Sequence, residues 1–182
     1  MSTQPLVQAI ASTRAVLANV RADQMDGATP CSSWKVSDLV NHIFDAQGFF
    51  ISGVTGQPPA PADRSAGDLS AYDAATADAV AAFSGEGVMG KMLTLPFGQM
   101  PGAAFAGLAA TDVFTHGWDL AKATGQSTDL APDLAAALLA GAKQAISPAF
   151  RGPEGAPFGT EQEAPAGSTN ADKLAAFLGR TV

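Results

Sequence analysis

Between Leu6 and Val20 the apolar residues are Leu6, Val7, Ile10, Val16, Leu17 and Val20, a spacing that predicts an amphipathic helix. Pro5 stands near its first turn, where a missing N–H costs little. A turn at Thr29-Pro30-Cys31-Ser32-Ser33 and then Trp34 lead into a second helix, from about Val36 to Ser52. Its apolar face carries Val36, Leu39, Val40, Ile43, Gln47 and Phe50. Gln57-Pro58-Pro59-Ala60-Pro61 cannot continue a helix. A third, alanine-rich helix is predicted over Asp68 to Phe83, bounded by Gly67 and Gly85.

Val88 to Met100 differs in character, with glycines, Pro96 and the alternating run Met92-Leu93-Thr94-Leu95, and predicts a short strand or an extended loop. The longest helix is predicted from Ala103 to Thr124, opened by Pro101-Gly102 and stopped by Gly125, at the position past a helix end that glycine favours. Asp133 to Ile146 follows as a further helix. Arg151 to Thr169 is rich in Gly, Pro and acid and predicts an irregular tail segment. Asp172 to Leu178 closes the chain as a short helix whose Leu174, Phe177 and Leu178 dock on the body. Four or five helices with short links predict an all-α, up-and-down bundle. The 182 residues fit a single domain, 1–182.

Composition narrows the function classes. Hydrophobic residues make up 47% and charged residues 15%, a balance that predicts a packed globule rather than a disordered chain. The net charge is −7 and the ten basic residues are scattered, so no positive stripe exists to displace the counterions of a nucleic acid or to hold an anionic membrane. No stretch approaches a membrane span and the first residues do not resemble a signal peptide, so the expected location is cytoplasmic. Cys31 is the single cysteine, which rules out an internal disulfide; it reads as a small buried apolar residue.

The chemistry concentrates in one predicted helix. Advancing 100° per residue from Asp112 puts His116 about 40° away and Asp119 about 20° away on the other side. Phe105, Ala109 and Ala123 share that stripe. Ionisable groups on an apolar stripe are costly unless something neutralises them, and a divalent cation would do so. Carboxylate and imidazole at i and i+4 can reach one ion. The chain has two histidines, so His42, in the middle of the second helix beside Leu39, Ala46 and Phe49, is the candidate third ligand. Two imidazoles and a carboxylate suit Zn²⁺, Ni²⁺ or Fe²⁺, and three protein ligands leave positions open, as in catalytic sites.

The residue types leave a plainer reading open. Asp112 and His116 could form an ion pair on the helix, worth about 0.2–0.5 kcal/mol, with His42 an unrelated histidine at a helix seam. Asp119 is either a partner that fixes the His116 tautomer or a surface acid, and Asp45 reads as a solvated acid. Trp34 and Trp118 read as core or rim packing, and Met89, Met92 and Met100 as gap-filling residues. No phosphate loop, paired-cysteine spacing or serine nucleophile elbow is present.

Thr29-Pro30-Cys31, Trp34, Val36, Asp38-Leu39-Val40 and His42 resemble the N-terminal motif of an actinobacterial group of metal-binding proteins. His116-Gly117-Trp118-Asp119-Leu120-Ala121 with Ala123-Thr124-Gly125 resembles its second motif, and Ala175, Phe177-Leu178-Gly179-Arg180 its usual close. The group belongs to the DinB/YfiT-like superfamily, alongside mycothiol-dependent maleylpyruvate isomerase. The resemblance implies a four-helix bundle with a metal between helices, and members that dimerise through bundle faces. In the isomerase a His on the second helix and a Glu and His at i and i+4 are the ligands; those motif positions fall on His42, Asp112 and His116. The departure is Asp112, one methylene shorter than Glu. The isomerase also has a C-terminal domain, whereas this chain ends at Val182, so its particular isomerisation is not implied.

Two functions are therefore expected of the site. One is a metal- and mycothiol-dependent transferase or isomerase acting on a small electrophile. The other is a non-catalytic, metal-dependent small-molecule-binding or stress-response protein.

Overall fold

The computed structural model describes residues 2–59, 69–152 and 158–182. Within them the chain is mostly helical, with one two-stranded hairpin. Asp68 and Gly67, and part of the proline-rich run, lie outside the described residues, as does the middle of the 151–169 segment.

Helix α1 (Gln4–Leu17) buries Leu6, Ala9, Thr13, Val16 and Leu17 on one face and runs along the later central helix. It ends three residues before the Val20 expected from periodicity. The Asn19 side chain donates to the Ala15 carbonyl at 2.8 Å, and the last amides reach back only three residues, to Val16 and Leu17. A side chain that competes for helical carbonyls unwinds the last turn in this way. Val20 still packs on the core, from outside the helix.

Helix α2 (Val36–Thr55) starts where the Asp38 carboxylate accepts the Lys35 amide at 3.0 Å, and it stops at Gly56, which adopts φ 74°. Helix α3 (Ser70–Phe83) packs on α2 through Tyr72, Thr76, Ala79 and Phe83. The segment expected to be a strand or loop is a hairpin: β1 (Met92–Leu95) pairs antiparallel with β2 (Gly98–Pro101), with Leu95 opposite Gly98. Leu93 and Leu95 turn inward, as period-two alternation requires.

The strand leads directly into α4 (Gly102–Thr124). This helix is buried around most of its circumference rather than along one stripe, because α1, α2, α5 (Pro132–Ala145) and α6 (Asn170–Phe177) all pack on it. Gly125 ends it with φ 71°. Helix α6 begins in a capping box: the Thr169 hydroxyl accepts the Asp172 amide and the Asp172 carboxylate accepts the Thr169 amide. Leu174, Phe177 and Leu178 are buried, docking the C-terminus on the body.

Candidate metal centre

Two helices and one loop build the site. Packing of α2 on α4 sets His42 against Asp112 and His116, which lie one turn apart on α4. His42 Nε2 is 3.9 Å from Asp112 Oδ2, and His116 Nε2 is 3.6 Å from Asp112 Oδ1. Both separations exceed hydrogen-bond length. The imidazole rings stand edge to face with centroids 4.5 Å apart. One donor atom from each residue lies within 4.8 Å of the other two. Ligand atoms about 2.1 Å from a tetrahedral ion are themselves ~3.4 Å apart, so the three could close on one ion with small side-chain movements.

His42 Nε2 carries the sharpest sign of a missing partner. It is buried and, among the described residues, has no hydrogen-bond partner, although the other atoms facing it are an acid and an imidazole. Burial first, and then the neighbouring His116, hold the His42 pKa below its usual value, with Asp112 and Asp45 pulling the other way. The ring is thus held in its neutral form, the form that binds a metal. Buried, unpaired imidazole nitrogen opposite imidazole and carboxylate is a donor set that fits a borderline divalent ion.

The loop before α2 supplies a roof. The Thr29 hydroxyl donates to the carbonyls of Cys31 and Trp34 and accepts the Cys31 amide, closing the turn. That turn sets the Trp34 ring 4.7 Å from His42 and 5.7 Å from His116, centroid to centroid. Rim packing, expected for Trp34, is thus packing over the site itself.

Behind His116 lies Asp119, which is fully buried and not a surface acid. Its Oδ2 is 3.1 Å from His116 Nδ1. Arg180 approaches it with two nitrogens, Nε to Oδ1 at 3.2 Å and Nη2 to Oδ2 at 2.9 Å. Cys31 Sγ donates to the same Oδ2 at 3.4 Å. Burial opposes charge on His116, Asp119 and Arg180 alike. For His116 the opposition is outweighed by Asp112, Asp119 and Cys31, which push its pKa up to about 10. For Asp119 it is outweighed by His116 and Arg180, which hold the carboxyl below the ordinary range. Arg180 is raised in turn by Asp119.

Sequence reasoning missed two of these residues. Cys31 is half-buried and hydrogen-bonded in a polar cluster, not a small apolar core residue, because the Thr29 turn aims it at α4. Arg180 entered only as part of a closing block; the available signal was a cation directly after a run of buried residues. Beside the ligand set, a small pocket of about 80 Å³ is lined by Thr111, Asp112, Thr115 and His116 of α4 and by Leu178 and Arg180 of the C-terminal segment. Among the described residues, the Thr115 hydroxyl is buried there without a hydrogen-bond partner. Among the described residues, no helix is long and apolar enough to cross a membrane.

A mainly helical protein with an inward-facing His, Asp and His set across two packed helices defines the class. The chain belongs to the mycothiol maleylpyruvate isomerase N-terminal domain family, whose model matches residues 6–121, a span that includes His42, Asp112, His116, Asp119 and Cys31. It is 49% identical over 168 residues to uncharacterised proteins from two strains of Mycobacterium tuberculosis, covering 92% of this chain and 91% of each relative. No solved structure matches it.

Proposed function

We propose that this chain is a single divalent-metal-binding domain, residues 1–182, in which His42, Asp112 and His116 hold one ion, zinc or nickel, for thiol chemistry on a small electrophile. On this reading α1 to α4 form the up-and-down four-helix bundle of the DinB/YfiT-like proteins. The observation that carries it is the unpartnered, buried His42 Nε2 facing Asp112 and His116. Family membership supports mycothiol as the thiol, in a transferase- or isomerase-like reaction; a homodimer in the cytoplasm is the setting proposed with it.

A metal at this position would supply Lewis acidity that favours the thiolate over the thiol. The chain's own residues do the rest. His42 offers a neutral nitrogen, Asp112 offset charge, and Asp119 hydrogen-bonds His116 Nδ1 so that Nε2 points at Asp112. Trp34 packs against the two rings.

A second reading, metal-dependent ligand binding or a stress role without turnover, draws on the pocket. That pocket is small, about 80 Å³, and is bordered by the Thr111 and Thr115 hydroxyls as well as by Asp112, His116 and Arg180. The readings divide on whether thiol or electrophile is consumed with metal and not without it.

The test is metal content by mass spectrometry on protein purified without added metal or a histidine tag. About one equivalent is expected in the native protein and almost none in His116→Ala. Unchanged content in that variant refutes the ligand set. Titrating the loaded protein with mycothiol should perturb the spectrum of a cobalt-substituted site; no perturbation refutes the thiol.

A further inference from the structure

His116 belongs to two sets of metal-binding atoms. On its Nε2 side are Asp112 and His42; on its Nδ1 side are Asp119 and Cys31, again with one donor atom each within 4.8 Å of the others. The second set contains a thiol, and thiolate is the stronger attraction for zinc-like ions. Ligand type alone would therefore send an ion to the Cys31 side.

Arg180 opposes that choice. Asp119 is completely buried, and both its oxygens are already engaged: Oδ1 by Arg180 Nε, and Oδ2 by Arg180 Nη2, His116 Nδ1 and Cys31 Sγ. A dication there would compete with a fixed guanidinium for the same carboxylate, in surroundings where like charges are poorly screened. Arginine does not lose its charge to make room. The guanidinium is also anchored independently of Asp119, since Nη1 donates to the Leu178 carbonyl and the Arg180 amide to the Ala175 carbonyl. On the other side of the ring one acid and a second imidazole face Nε2; Arg180 borders that pocket too and its charge reaches Asp112, but its side-chain hydrogen bonds go to Asp119 and the Leu178 carbonyl.

We propose that Arg180 selects between the two donor sets, acting through Asp119 as a positioning residue that turns His116 Nε2 toward Asp112 and His42 and keeps Cys31 out of the coordination sphere. The inference rests on the metal-site reading above and adds to it the residue that fixes where the ion sits.

Cobalt(II) is the probe, because a thiolate ligand adds a near-ultraviolet charge-transfer band that imidazole and carboxylate do not. The native protein should take up cobalt without that band, and Cys31→Ser should leave the spectrum unchanged. Arg180→Met should gain the band, Arg180→Lys should not, and adding Cys31→Ser to Arg180→Met should remove it. A thiolate band in the native protein overturns the proposal, as does a folded Arg180→Met with the native spectrum. If Arg180→Met does not fold, Arg180→Gln, which removes the charge and keeps a hydrogen-bonding side chain, takes its place: a thiolate band in it upholds the proposal and the native spectrum overturns it. Failure of the native protein to take up cobalt shows in the first titration, before any variant, and overturns the metal reading on which the proposal rests.

Discussion

Thr13 and Gly117 bring α1 and α4 into direct contact. The Thr13 hydroxyl donates to the Val113 carbonyl at 2.8 Å, and a β-carbon at position 117 would overlap that hydroxyl. The glycine between His116 and Trp118 is therefore a packing requirement: it lets α1 lie against the helix that carries two of the three candidate ligands.

Gly117→Ala should destabilise the protein by about 1–3 kcal/mol, the usual cost of overfilling a packed interior. Thr13→Val should cost less, about 1 kcal/mol, since it removes one buried hydrogen bond and keeps the shape. Urea unfolding of both variants checks the order. A neutral Gly117→Ala would mean that the helices separate at little cost.

Asp112 should tolerate lengthening and not neutralisation. In Asp112→Glu the carboxylate keeps its charge and gains reach, so metal content should persist. In Asp112→Asn the offsetting charge is gone, and affinity should fall well beyond the 10–100-fold typical of losing a residue that only orients a ligand. Competition with a coloured chelator measures both.

Metal binding should release a proton. His116 is pushed up to about 10 by Asp112, Asp119 and Cys31 acting against burial, so without metal it is protonated at neutral pH, while burial keeps His42 neutral. Only deprotonated imidazole binds, so affinity should rise about tenfold per pH unit through neutrality. Calorimetry in buffers of different ionisation heat should give about one proton per ion. The metal-free protein should show the opposite trend in stability. A histidine whose pKa is raised by folding stabilises fully below its unfolded value of about 6.5, and the contribution is lost as pH climbs toward about 10. Urea midpoints of the metal-free protein that rise over this range would contradict the assignment.

Asp172 joins the C-terminal helix to the centre of α4. Its Oδ1 accepts the Trp118 indole at 2.9 Å and its Oδ2 accepts the Thr169 amide. Asp172→Ala should cost about 2–3 kcal/mol, combining a lost cap with an unpaired buried indole N–H. Asp172→Asn, which keeps an acceptor, should cost less. Burial raises this carboxyl, but Trp118 and Thr169 lower it further, so its pKa lies below the usual value. Its contribution is thus present above about pH 3.8 and fades as the pH drops through the folded value. Thermal melts of native protein and Asp172→Asn should converge in that acid range.

What the sequence determined by itself was local. Apolar periodicity marked α1 and α2, alanine content and flanking proline or glycine marked later helices, glycine at 125 marked the end of α4, and the alternation at Met92–Leu95 marked the hairpin strand, because each depends on neighbours within a turn or two. Asp112 and His116 were legible as a pair for the same reason: the geometry of one helix places i and i+4 on one side. His42 could be named by elimination, but its approach to that pair depends on how α2 packs on α4, which no spacing encodes. Cys31 arrives by a turn 88 residues before Asp119, and Arg180 by a helix end 61 residues after it. Those meetings follow from the fit of side chains between distant segments, so only the tertiary structure could decide that Asp119 is buried and that three side chains share it.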